Sequence, residues 1–216
     1  MARKTKHEAQ LTRHRILDAA ERAFEQHGVS GTSLDDIARA AGLTRGAIYW
    51  HFQGKADLFN AMMARVVMPW EDPAGGPAHT ARDLTLDQLR DHLVAMLRQF
   101  VDDPQRRRVF DILLHKVDHV GEMQAVRQRH LEVRQACWAQ VQGALGHAKR
   151  RGEWSGRLSA RAAALGLHAL VNGLLQNWML DPDAFDLERV GSQALGVYLA
   201  SLALSRVERP AHFNPL

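Results

Sequence analysis

Residues 33–52, SLDDIARAAGLTRGAIYWHF, constrain this chain more than any other stretch. Ser33 stands where an N-cap hydroxyl accepts an orphan backbone N–H of the first helical turn. Asp36 takes the acid position of a capping box, where Glu or Gln is the usual residue. Leu34, Ile37, Ala38 and Ala41 then share one face at helical spacing. Gly42 follows, and glycine closes a helix in the left-handed conformation without a steric penalty. Thr44 caps a second, short helix, Arg45 to Phe52, with Ala47 and Ile48 inward and Arg45, Tyr49 and His51 outward. A short helix, a glycine turn and a second helix with donors on its outer face predict a helix-turn-helix. The competing reading is a helical hairpin inside an ordinary bundle, but a buried hairpin has no use for Thr, Arg, Tyr and His clustered on its second helix.

The rest of the chain reads as helix almost throughout, which predicts an all-α fold of about nine helices. A first helix, Glu8 to His27, carries the apolar stripe Ile16, Leu17, Ala20, Ala23 and Phe24 and stops at Gly28. A fourth begins near Lys55. Three prolines and two glycines within residues 69–77 make that segment a loop. Further helices are expected over Leu86–Val101, Gln105–His119, Glu122–Arg151, Ser159–Leu180 and Leu187–Arg206, with residues 210–216 frayed. The division into domains falls at 1–54, a homeodomain-like helix-turn-helix domain, and 55–216. The last two long helices are apolar over most of their circumference and need cover on more than one side. A second copy of the chain, giving a four-helix interface about a two-fold axis, supplies it; the alternative is that both are central helices of a monomer.

Charge and chemistry narrow the function. The 216 residues carry a formal net charge of +4. Arg3, Lys4, Lys6, Arg13 and Arg15 stand against Glu8 alone at the amino terminus, a basic arm suited to phosphate contacts; a solvated tail competes for Arg3 and Lys4. The single cysteine, Cys137, excludes an intrachain disulfide. It reads as packing, with oxidant sensing as the minor alternative. No apolar run reaches the length of a membrane span and no secretory h-region follows the basic start, so a soluble cytoplasmic protein is expected. The chain has no G-x-S-x-G, Walker loop, H-E-x-x-H or glycine-rich nucleotide turn, which argues against an enzyme.

The pattern Thr32-Ser33-Leu34-x-x-Ile37-Ala38-x-x-Ala41-Gly42-Leu43-Thr44-Arg45-Gly46-Ala47-Ile48-Tyr49-Trp50-His51-Phe52-x-x-Lys55-x-x-Leu58-Phe59 resembles the TetR family of transcriptional regulators. The opening MARKTKHEAQ, residues 110–116 (FDILLHK) and residues 173–178 (GLLQNW) resemble the AcrR/TtgR branch, whose members repress multidrug efflux pump genes.

The resemblance implies a homodimeric repressor that binds a palindromic double-stranded DNA operator and is released by a hydrophobic or aromatic small molecule, with no cofactor. Thr32, Ser33, Thr44, Tyr49, His51 and Lys55 match positions that hold phosphates, which fix register without reading sequence. Arg45 matches the base reader, since a guanidinium can bridge guanine O6 and N7. Gly46 lets the backbone approach DNA closely. Trp50 and Phe52 are expected to pack inward. For the effector, the resemblance points to Val67, Leu89, Leu93, Met96, Asp111, His115, Cys137, Val141, His168, Val171 and Asn172, a mainly apolar set with a few polar anchors. The alternative for each is an ordinary core residue. Two further alternatives remain: an activator of the same fold, and a metal sensor, because Asp111, His115 and His119 fall at i, i+4, i+8 with Glu122 nearby.

Overall fold

The computed structural model describes residues 2–66, 84–118, 121–154 and 158–204. Val67, His119, the 69–77 loop, residues 210–216 and the side chains of Arg3, Lys4 and Glu122 lie outside the described residues. Among the described residues all regular structure is helical, as expected. The order is α1 (Ala2–His27), α2 (Leu34–Ala40), α3 (Arg45–His51), α4 (Lys55–Met63), α5 (Leu86–Asp102), α6 (Pro104–His115), a single 3₁₀ turn (Gly121–Met123), α7 (Gln124–Arg150), α8 (Ala160–Leu180) and α9 (Leu187–Leu204). Two boundaries differ from the sequence reading by more than two residues. Helix α1 starts at Ala2 rather than Glu8, so the basic arm forms its first turns. Helix α6 stops at His115, where Lys116 leaves the helical conformation as the C-cap.

The chain packs as two compact units. The first takes in residues 1–68 and 102–134, the second residues 69–101 and 135–216. Leu58, Phe59 and Met62 of α4 and Val109, Ile112 and Leu113 of α6 bury into the same core as Ile16, Leu17 and Phe24 of α1. The Phe24 and Phe59 rings meet with centroids 6.0 Å apart. Each large apolar side chain buried here contributes about 1.5–3 kcal/mol. Helix α3 is seven residues long, too short to persist alone. It is held by Ile48 and Phe52, both buried in this core, and by its caps.

Glu21 is a charge inside that apolar stripe, 3% exposed. Its carboxylate accepts from Gln105 Nε2 at 3.0 Å and Arg108 Nη1 at 2.9 Å, with Arg65 Nη1 at 3.8 Å. A bare carboxylate there would cost several kcal/mol. The two donors from α6 and the Arg65 cation just after α4 make it tolerable, so Glu21 ties both to α1.

In the second unit, Leu93, Met96, Leu97 and Phe100 of α5, Leu167, Val171, Leu175 and Trp178 of α8, and Leu195 and Leu199 of α9 are buried. Helices α8 and α9 approach closely at Gly166, where an added Cβ would lie 2.4 Å from the Tyr198 hydroxyl. That hydroxyl donates to Ala163 O at 2.8 Å.

Candidate nucleic-acid interface and effector residues

The two short helices are built from their caps. Asp36 N donates to Ser33 Oγ at 3.1 Å, and Ser33 N donates to Asp36 Oδ2 at 3.0 Å, the reciprocal capping box. The Ser33 hydroxyl, which donates to Asp36 Oδ2, and then the Ser33 backbone N–H hold the Asp36 carboxyl below its ordinary pKa. Thr44 Oγ1 accepts from Ala47 N at 3.3 Å and starts α3. Gly42 takes φ +65° between the helices, and Arg15 Nη2 donates to Ala41 O at 2.7 Å, closing the end of α2.

Ile48 and Phe52 define the buried side of α3, so its other side is open. Thr44, Arg45, Gly46, Tyr49 and Trp50 are all exposed. Thr44 accepts with its oxygen and keeps its own O–H outward. Arg45 Nη1 donates to Asp35 Oδ2 at 3.0 Å, and Nη2 donates to the Tyr49 hydroxyl at 3.0 Å. The guanidinium lies 5.4 Å from the Tyr49 ring centroid. The Tyr49 hydroxyl and the Asp35 carboxylate raise the Arg45 pKa further, so the group stays cationic at any working pH. At Gly46 an added Cβ would meet only Thr44 Oγ1, at an ordinary 3.8 Å. Nothing within the chain requires glycine there.

Three of the sequence-derived roles change. Trp50 is 73% exposed, not packed inward. It stands two residues, about 200°, from Ile48 on the helix, and its ring meets His51 edge-on at 4.5 Å. Thr32 is 2% exposed, and the single proton of its hydroxyl is donated to Gly28 O at 2.7 Å, with Ala23 O at 3.2 Å as a secondary acceptor. Its side chain therefore closes the end of α1 and is not presented to a phosphate. The Lys55 ammonium donates to Val29 O at 3.0 Å and Thr32 O at 3.2 Å, which makes it a brace for the turn between α1 and α2. Ser33 is exposed, but its hydroxyl already donates to Asp36 Oδ2 at 2.6 Å. His51 is half-buried; burial, and then the nearby Arg13 cation, push its pKa below the usual histidine value. Phe52 packs inward as expected, with Arg13 over its ring at 5.1 Å.

The effector candidates divide between the two units. Asp111 and His115 belong to the first, where His115 Nδ1 and Asp111 Oδ1 are 2.9 Å apart. Leu89, Leu93, Met96, Cys137, Val141, His168, Val171 and Asn172 belong to the second. Leu89, Leu93, Met96 and Val171 are buried; Cys137, Val141, His168 and Asn172 are partly buried. Asn172 Nδ2 donates to His168 Nε2 at 2.8 Å, an assignment that places the imidazole proton on Nδ1. The His168 ring meets Trp138 edge-on at 5.2 Å. Trp138 was not among the candidates; its place next to Cys137 and one turn before Val141 on α7 was the available signal. A cleft of about 440 Å³ in the first unit is lined by Asp18, Glu21, Arg22, Glu25, Gln26, Gln105 and Arg108. Another, of about 340 Å³ in the second unit, lies around Leu86, Arg90, Glu153 and Leu199. None of the effector candidates lines either. Among the described residues no three His, Cys, Asp or Glu side chains come together as a metal site.

Comparison with known proteins bears on both units. Residues 16–62 match the family described as bacterial regulatory proteins, tetR family, and residues 85–203 match the C-terminal region of the MAATS-type transcriptional repressors. The chain is 40% identical to the HTH-type transcriptional regulator TtgR of Pseudomonas putida, over 87% of this chain and 89% of that protein. It resembles the crystal structure of NalD, the secondary repressor of the MexAB-OprM multidrug efflux pump in Pseudomonas aeruginosa, with TM-score 0.82 and 33% identity over 91% of this chain and 99% of that one. The structure of a SmeT–triclosan complex gives TM-score 0.75 and 31% identity over 95% and 99%.

Two predictions follow from the local geometry. Thr32→Val takes the hydroxyl donor from Gly28 O and should destabilise the protein by about 1–3 kcal/mol. Arg45→Ala, at an exposed position, should change stability by less than about 0.5 kcal/mol; urea unfolding of the two variants checks the contrast. For His51, a folded-state pKa below the unfolded value means that the unfolded chain takes up the proton first. The stability His51 contributes is therefore present above about pH 6.5 and lost as pH falls toward the folded-state pKa. Thermal midpoints measured across pH 7 to about pH 5 should fall less steeply for His51→Gln than for the unsubstituted protein.

Proposed function

The chain belongs to the TetR family of bacterial regulatory proteins, and from that premise we propose that it is a ligand-responsive transcriptional repressor. It binds a palindromic operator as a homodimer, controls a multidrug efflux pump operon in the cytoplasm, and is released by hydrophobic small molecules. Residues 1–54 meet the DNA, and residues 55–216 take the effector and pair the subunits. The observation that carries this reading is the exposed side of α3. Thr44, Arg45, Tyr49 and Trp50 serve no internal packing there, and they offer hydroxyl, guanidinium and aromatic groups to a phosphate backbone and a base edge.

Arg45 is the base reader, and Thr44, Tyr49 and His51 are the phosphate anchors, with Trp50 added from its exposure. Ser33 joins them only by giving up its bond to Asp36. Thr32 and Lys55 act indirectly, by fixing the turn on which α2 and α3 stand. A dimer through α8 and α9 is supported by what those helices leave uncovered. Ala162, Leu165, Ala169, Gln176 and Leu180 form an exposed stripe on α8 at helical spacing, as do Gln193, Val197 and Ala200 on α9. Leu180 is 77% and Val197 72% exposed, which is a poor arrangement for an isolated subunit. No helix among the described residues is long and apolar enough to cross a membrane.

Release requires an effector that favours one arrangement of the reading heads over another. Two bonds within the first unit give α6 a hold on the heads. Val29 N donates to Lys116 O at 2.9 Å, so the end of α6 is joined to the α1–α2 turn, and Glu21 joins its start to α1. An effector that displaces α6 near Asp111 and His115 therefore pulls on the base of the reading helices.

Selection from a library of duplexes with a randomised centre tests the DNA reading. The protein should recover a palindrome with half-sites about one helical turn apart, and failure to enrich any sequence would refute it. Arg45→Ala should weaken binding to the selected duplex by about 1–3 kcal/mol and relax one base position in each half-site. Asn172→Ala and His115→Ala should each shift the triclosan concentration that releases this duplex by about fivefold, the equivalent of one hydrogen bond, with effector-free binding retained. Release by a divalent metal ion and not by hydrophobic compounds would favour the metal-sensing alternative.

A further inference from the structure

Asp35 and Asp36 are adjacent in the first turn of α2, and their surroundings differ. Asp36 completes the capping box with Ser33 and pairs with Arg39 at 3.5 Å. The cap is satisfied without Asp35. The Asp35 carboxylate instead reaches across the turn to α3 and meets Arg45 Nη1 at 3.0 Å, with both side chains about half exposed. It is thus a negative charge on the surface that has just been assigned to a polyanion. By itself it repels phosphates and weakens DNA binding.

What it supplies in return is the orientation of Arg45. An arginine side chain is long and rich in rotamers, and an unrestrained guanidinium on this surface could pair with any phosphate it met. Here both terminal nitrogens are held, Nη1 by Asp35 and Nη2 by the Tyr49 hydroxyl, and the Tyr49 ring lies 5.4 Å from the guanidinium. Guanidinium has five N–H donors. Two are spent on this clamp, and the others remain for a base edge that presents paired acceptors.

We propose that Asp35 is a positioning residue that converts Arg45 from a general phosphate cation into a base reader. It holds the guanidinium in one orientation for the guanine edge, and its charge lowers the affinity of the surface for DNA that lacks that base. Both effects act on the ratio of operator to non-specific affinity. This role rests on the operator-binding reading of α3 given above.

The test uses the full-length protein, the duplex selected by the unsubstituted chain, and a random-sequence duplex as the non-specific probe. Asp35→Asn keeps shape and removes charge. The ratio of the two affinities should fall about tenfold, and repeated selection with the variant should relax the same base position that Arg45→Ala relaxes. On random DNA the released Arg45 gains a phosphate, so the dependence of log affinity on log salt should steepen by about 0.9 for each head engaged. A cap or packing role would move neither the base position nor this slope. Asp35→Ala carries the same expectations, so either folded variant decides the question. A ratio unchanged within about twofold, or relaxation at positions that Arg45→Ala leaves alone, would overturn the role of Asp35 while the operator reading stood. Should the unsubstituted protein select no sequence, the operator reading falls and the role of Asp35 falls with it.

Discussion

Everything on the reading surface depends on how the chain turns after α1. A helix end leaves backbone carbonyls without intrahelical donors, and here those groups become the fastening of the next two helices. The Thr32 hydroxyl closes Gly28 O from inside, with Ala23 O as its secondary acceptor. The Lys55 ammonium, from the start of α4, gathers Val29 O and Thr32 O. Val29 N reaches Lys116 O at the end of α6. Gly28 permits the turn by taking φ +72°. One short segment is thereby bonded to α1, α4 and α6 together, and α2 and α3, each seven residues long, inherit their positions from it.

That arrangement explains how the first unit can be both rigid and responsive. Its core is apolar and continuous, while its polar ties, Glu21 to Gln105 and Arg108 and Val29 to Lys116, run between α1 or its turn and α6. Packed cores favour discrete arrangements over gradual deformation, so a displaced α6 is best accommodated by moving the turn with it. The exposed side of α3 needs no part in this. It can be specialised for DNA, with an arginine clamped between a carboxylate and a phenol, while effector chemistry is placed elsewhere in the chain.

The helices and the reading motif were legible in the sequence because they rest on local rules. The Ser33 and Thr44 caps, the stripe on α1 and the glycine at position 42 all act within a turn or two. What was missed depends on tertiary placement. Trp50 was expected to pack because it is large and apolar; its angle from Ile48 on a two-turn helix decides otherwise. Thr32 and Lys55 match phosphate-holding positions by resemblance, yet carbonyls up to 26 residues away in sequence take their donors. Glu21 gave a signal that went unused: it lies four residues after Leu17 and three before Phe24, within the apolar stripe, where a charge must have buried partners. The Asp35–Arg45 pair joins two helices across a glycine turn, and no periodicity reports such a contact. The residues proposed for the effector come from helices far apart in sequence, and no periodicity bears on them.

The proposed release requires that a small molecule change the distance between two paired reading heads. That distance can be measured directly with a spin label on each subunit at Gln53→Cys, an exposed position just after α3, in a Cys137→Ser background that removes the single native cysteine and is first shown to release DNA at the same triclosan concentration as the unsubstituted protein. Pulsed dipolar spectroscopy would then compare the dimer alone, on its selected duplex, and with triclosan. One narrow distance is expected on the duplex, and a displaced distribution once triclosan has released the DNA. An identical distribution in all three states, or the absence of any intersubunit distance, would contradict the proposed release.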